Sequence, residues 1–194
     1  MTTLNLTAAL ERLVADIAGQ AEEFRHVDPD RLLVCLSPTR GGGVHGTYAK
    51  IHPLRFPGGE TTSRVRRRGR YWTCTMPTVT HQGREMLYVV YFLVPRFFDL
   101  SLREKLITVF HELYHISPAF DGDIRRFPGR NYAHGSSTRA YNRRMGELVD
   151  AWLALEPDPD ILTFLDGDME ALRSRHTALV GRKMTAPRIT VTRA

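Results

Sequence analysis

The chain has 194 residues, 42% hydrophobic and 25% charged, which is the composition of an ordinary globular protein with one domain's worth of core and excludes an intrinsically disordered chain. Lys and Arg number 27 against 21 Asp and Glu, a net charge of +6 that speaks to association and solubility rather than to fold. Two cysteines, Cys35 and Cys74, each sit in an apolar run and read as buried free thiols, so no disulfide framework is expected.

The first element is an amphipathic helix over Leu4–Phe24, with Leu6, Leu10, Leu13, Val14, Ile17, Ala18 and Ala21 recurring at helical spacing. His26-Val27-Asp28-Pro29 ends it, because the residue before proline disfavours helical geometry. Charged residues interrupt Leu6–Ile17, so a secretory signal is not expected there. The longest apolar run, Met86–Val94, is far short of the roughly 20 residues that span a bilayer, and the expectation is a cytoplasmic protein with no membrane partner.

A β-rich middle follows: Leu32–Leu36, a flexible connector at Gly41-Gly42-Gly43, then Thr47–Leu54, Tyr71–Met76 and Met86–Val94. His81-Gln82-Gly83-Arg84 reads as a hairpin turn, and a small, largely antiparallel sheet is expected. Ser101-Leu102-Arg103-Glu104 is a capping box that opens a helix lined by Leu102, Leu106, Phe110 and Leu113 and running to about Ile116, ahead of Ser117-Pro118. Phe120–Asn131 reads as a loop, Ser137–Leu155 as a helix broken by Glu156-Pro157-Asp158-Pro159, Asp168–Leu179 as a further helix, and Arg188–Thr192 as a short strand or a disordered tail. The fold class is α+β: one domain over 1–194, with a core of about 27–155 and a C-terminal helical extension over 156–194.

The chemistry concentrates in His111-Glu112-Leu113-Tyr114-His115. Histidines four apart on a helix project from one face, one turn apart, and two such imidazoles can bind one zinc ion at about 2.0–2.1 Å each. Glu112, about 100° around the helix from His111, is poorly placed as a ligand there but can act as general base on a water that zinc has made more acidic. A catalytic zinc usually takes three protein ligands. His134 is the expected third, at the entrance of the helix that Ser136-Ser137 can cap; Glu147 and Asp121 or Asp123 are the rivals. Met145 falls on a helix and reads as core. Tyr132, Tyr141 or an arginine of the Arg125–Arg130 loop can donate to a developing oxyanion.

His111–His115, followed by Asp121-Gly122-Asp123-Ile124-Arg125-Arg126-Phe127 and Ala133-His134-Gly135, resembles the phage and bacterial zinc metallopeptidases of the zincin superfamily and is more distantly similar to SprT-like proteases. The resemblance covers Met86 to Val149, about a third of the chain. It implies a zincin-like fold, peptide-bond hydrolysis of a protein or peptide substrate, zinc held by His111, His115 and His134, and Glu112 as the catalytic residue. It also implies an edge strand that pairs with extended substrate, although which strand forms that edge is not readable in the sequence.

Arg64, Arg66, Arg67, Arg68 and Arg70 form the densest charge cluster. Its plain reading is a solvated hairpin tip; its functional reading is contact with DNA phosphates, with Tyr71 and Trp72 beside it for stacking. Two functions from different classes therefore stand: a zinc endopeptidase, which includes an SprT-like protease acting on DNA-bound proteins, and a DNA-associated binding protein with a structural zinc. Glu112 discriminates, because a structural site has no use for a glutamate between its histidines and commonly closes with cysteine. Oligomeric state is not readable.

Overall fold

The computed structural model describes residues 2–39, 47–128, 133 and 137–194. Strand β1 (Thr3–Asn5) leads directly into helix α1 (Leu6–Gln20), whose N-cap Asn5 accepts the Ala8 amide at 3.1 Å. The buried face of α1 holds Leu6, Leu10, Leu13, Val14, Ile17 and Ala18, the residues that the 3.6-residue spacing selects. The helix stops at Gln20 rather than at Phe24, because Ala21 turns extended and Glu22–Phe24 forms a 3-10 turn that buries the Phe24 ring.

The central sheet contains β2 (Leu32–Pro38), β3 (Ala49–Pro53) and β8 (Tyr88–Val94) in the order β2-β8-β3. β8 runs parallel to β2 and antiparallel to β3, so the sheet is mixed rather than largely antiparallel. The cause is visible in composition: Leu32–Leu36 is apolar at successive positions, as a strand covered on both faces requires, and such strands favour parallel pairing. The other pairings of hairpin type are antiparallel. β4 (Thr62–Arg67) and β5 (Arg70–Thr75) form one hairpin, and β6 (Thr80–His81) and β7 (Arg84–Glu85) another. Gln82 and Gly83 close the second with φ of 49° and 76°, both left-handed, as a two-residue turn matching the strand twist demands. β4 corrects the sequence reading, which takes its arginines as turn. The Gly41-Gly42-Gly43 connector lies outside the described residues.

Helix α2 (Leu102–Tyr114) carries the motif, and its capping box is present: Glu104 Oε2 accepts the Ser101 amide at 3.0 Å and Ser101 Oγ accepts the Glu104 amide at 3.3 Å. Leu106, Val109, Phe110 and Leu113 are buried. Leu102, expected on that face, is 44% exposed, because it lies in the first turn, ahead of the packed layer. Lys105 is buried and its Nζ donates to the carbonyls of Leu165 at 2.8 Å and Gly167 at 2.5 Å, which binds α2 to the C-terminal segment. Helix α3 (Thr138–Leu153), N-capped by Ser137, packs on α2 through Tyr141, Met145, Val149 and Trp152. Trp152 Nε1 donates to Asp16 Oδ1 at 3.0 Å and ties α3 to α1.

The segment after residue 156 contains less helix than expected. Two 3-10 turns, Pro159–Ile161 and Thr163–Leu165, precede α4 (Met169–Arg175), then β9 (Ala178–Val180) pairs with β1 and β10 (Thr190–Arg193) extends the β4–β5 hairpin. Phe164, Leu165, Met169 and Leu172 join the same buried cluster as α1, β8, α2 and α3, as does Leu6 at the other end of the chain. Among the described residues, no helix is long and apolar enough to cross a membrane.

Phe110 has no exposed surface and meets Phe24 edge-on at 5.2 Å and Trp152 at 5.9 Å. Phe110→Ala leaves a cavity where α1, α2 and α3 meet and should cost about 3–5 kcal/mol in urea denaturation. A loss below about 1 kcal/mol would contradict this packing.

Candidate metal centre

The core face of α2 dictates where the motif points. With Leu106, Phe110 and Leu113 buried against the core, 3.6-residue geometry turns His111 and His115 to the far side of the helix and Glu112 to a flank. α2 ends at Tyr114, with His115 as its C-cap. The chain then reverses: Ser117 N donates to Asp123 O at 3.2 Å and Arg125 N to His115 O at 2.6 Å. Gly122 permits the turn with φ of 88°; a Cβ there would meet Arg55 Cγ at 2.5 Å. Tyr88 Oη accepts the Gly122 amide at 2.9 Å and donates to Asp123 O at 2.8 Å, which fastens this loop to β8.

The rival ligands each have protein partners here. The Asp123 carboxylate takes both Nε and Nη2 of Arg126, at 3.0 and 2.9 Å, and Asp121 Oδ1 accepts the Asp123 amide at 3.1 Å. Glu147 lies more than a turn beyond Tyr141 on α3, on a different face, and is paired with Arg143 and Arg144 at 4.0 and 3.8 Å. His134 and Tyr132 lie outside the described residues. Among the described residues, no group of three or more His, Cys, Asp and Glu side chains comes together for a metal; what they bring together is the histidine pair.

The His111 and His115 rings are 4.8 Å apart between centroids, with planes at 75°. Two imidazole rings so close on one helix suit zinc. Tyr141 bridges them from α3, its ring 4.9 Å from His111 and stacked on His115 at 5.8 Å. Tyr114 and Phe127 continue this aromatic wall, and Arg125 lies over Tyr114 at 4.1 Å while its Nε donates to the Tyr114 carbonyl at 2.9 Å. Burial, with Glu112 next in weight, raises the Tyr141 hydroxyl well above the ordinary phenol range, so it is a protonated donor at neutral pH. Met145 is fully buried, as its reading as core requires.

Glu112 is 7% exposed, and desolvation pushes its carboxyl up to about 7 against the opposing pull of the Ile51 amide that it accepts. Ile51 can give that bond because of register. Tyr48 and Leu54 are the β3-side members of bonded pairs with Leu93 and Leu87, so by alternation the backbone groups of Ala49, Ile51 and Pro53 face away from β8. β3 is thus an outer strand of its sheet, and its outward edge borders a cleft of about 430 Å³ lined by residues that include Tyr48, Ala49, Thr108, His111, Glu112 and Asn142. This edge is the feature that reasoning on sequence left open: Thr47–Leu54 reads as a strand, but strand order is a non-local property. The arginines 64, 66, 67, 68 and 70 lie elsewhere, on the β4–β5 hairpin and its turn.

Comparison of the chain with protein-family models, with curated proteins and with solved structures gives no match.

The raised carboxyl has a signed consequence for stability. A carboxyl shifted upward on folding favours the protonated state, so its stabilisation relative to the charged form is complete below about 4.5 and is lost as pH rises toward about 7. In metal-free protein, Glu112→Gln should therefore gain stability relative to the wild type across that window, by roughly 3 kcal/mol in total. Urea midpoints at several pH values measure it; parallel pH profiles would show that Glu112 is not desolvated.

Proposed function

We propose that this protein is a zinc-dependent peptidase of the zincin type, with His111 and His115 as zinc ligands, His134 as the third, and Glu112 as general base. The observation that carries the reading is the convergence of two imidazoles 4.8 Å apart with a buried carboxyl poised near 7, at a cleft beside an outer strand. When bound, zinc supplies Lewis acidity and makes a water acidic enough to attack a carbonyl near neutral pH.

The chain's own residues do the rest. The outward backbone of Ala49 on β3, with the Ile51 carbonyl beside it, pairs with an extended peptide and lays its carbonyl along the cleft, while the Ile51 amide stays with Glu112. Pro53 lacks an amide and limits that ladder on one side. Glu112, with an affinity for protons near ambient pH, takes one from the attacking water and passes it to the departing amine. The Tyr141 ring lies beside both histidines, and its protonated hydroxyl, which in the structure donates to the His111 carbonyl at 3.5 Å, turns to the developing oxyanion. The aromatic cluster of Tyr114, Phe127 and Tyr141 packs behind the histidines and holds their rings in place. A structural zinc in a binding protein finds less support: Cys35 is buried within β2 and Cys74 lies on β5 of the β10-β5-β4 sheet, neither of them on α2 with the histidines.

Elemental analysis of protein purified without added metal should give one zinc per chain, lost in His111→Ala and weakened more by His134→Ala than by Glu147→Ala. Glu112→Gln should keep the zinc and lose hydrolysis of an unfolded protein substrate by about 10²–10⁴-fold. Zinc retained in His111→Ala, or full activity in Glu112→Gln, would overturn the assignment.

A further inference from the structure

The β10-β5-β4 sheet is unlike the rest of the molecule: its strands are mostly exposed, and every charge on them is positive. Alternation sorts its side chains. On one face Arg64 and Arg66 lie over the Tyr71 ring, at 4.4 and 5.8 Å from its centroid. On the other, cross-strand register sets Trp72 between Val65 and Arg193, and Cys74 between Ser63 and Val191. Val65, Trp72, Cys74 and Val191 line a concavity of about 750 Å³, and Arg67, Arg68 and Arg70 rim it at the hairpin tip.

A solvated tip has no need of that arrangement. Val65 is 42% and Val191 54% exposed, around an indole, where water would favour polar side chains. Apolar surface left open inside a charged rim marks a place where something binds. Among the described residues the five arginines 64, 66, 67, 68 and 70 make no ion pair, although Arg31, Arg55, Arg84, Arg103, Arg175 and Arg182 each have an acidic partner. The occupant must supply closely spaced negative charges and flat apolar groups together.

We infer that this sheet is a platform for single-stranded nucleic acid, with a base on Trp72 and neighbouring phosphates on Arg67, Arg68 and Arg70. A single strand exposes the faces of its bases, and stacking on an aromatic beside cationic groups is how such strands are held without sequence preference. A duplex hides those faces, and an acidic peptide offers charge without rings. The inference stands apart from the zinc site, so its failure leaves the peptidase reading intact.

The chain has two tryptophans, and Trp152 is buried in the core, so a change in fluorescence on binding reports Trp72. A single strand of about 16 nucleotides, titrated into the full chain at about 0.15 M salt, should quench that emission saturably. Trp72→Phe should abolish the quench while anisotropy of a labelled strand still shows binding within a few-fold of wild type. Arg67→Ser/Arg68→Ser/Arg70→Ser, with its fold checked by circular dichroism, should bind at least about tenfold more weakly and lower the salt slope by about 2, since each single-strand phosphate contributes about 0.7. The inference is overturned by absence of saturable binding, by equal affinity and slope in the triple variant, or by a duplex of the same length or polyglutamate binding as tightly as the single strand.

Discussion

Phe110 stands where three helices converge, edge-on to Phe24 after α1, against Trp152 of α3, and without exposed surface. Leu106, Val109 and Leu113 extend the same contact along α2. Burying that stripe fixes the rotation of the helix about its own axis, and the site depends on that rotation. At about 100° per residue, His111 and His115 fall about 140–180° from the middle of the buried stripe, and Glu112 falls on the flank next to β3. A slip of one residue in the packing would carry either His111 or Glu112 toward the core, according to its direction. The capping box at Ser101 and the carbonyl cradle of Lys105 hold the other end of the helix against such a slip.

The same packing explains the electrostatics. Glu112 is desolvated because β3 lies over it, and the single described bond that favours its charged form comes from the Ile51 amide. That amide is available only because β3 is an outer strand whose odd-numbered residues turn their backbone away from β8. One strand therefore sets the proton affinity of the carboxyl through Ile51 and places Ala49 in the wall of the cleft. Tyr141, brought by α3, adds an aromatic contact to both histidines, so three elements distant in sequence meet at one cleft.

Local chemistry was readable in the sequence where local rules decide structure. The α1 face from Leu6 to Ala18, the Ser101–Glu104 box, the Ser137 cap, the Gln82-Gly83 turn and the burial of Met145 follow from spacing and turn propensity. What failed was non-local. The parallel pairing of β2 with β8 depends on which strands become neighbours across some fifty residues of chain, although the unbroken apolar run at Leu32–Leu36 carried a hint of it. β4 was hidden because Arg64, Arg66 and Arg67 read as a solvated charge cluster, whereas Arg64 and Arg66 lie over the Tyr71 ring of the neighbouring strand. Asp123 and Glu147 resemble ligands in sequence; the fold adds that Arg126 bonds the Asp123 carboxylate and that Glu147 lies beside Arg143 and Arg144.

X-ray absorption at the zinc edge of the loaded protein reads out whether the histidines of α2 form a zinc site of imidazole character. The expected first shell is nitrogen and oxygen at about 2.0–2.1 Å, with the outer-shell pattern of imidazole rings. A sulfur shell at about 2.3 Å, which would bring in Cys35 or Cys74, or a first shell without imidazole scattering, would contradict it.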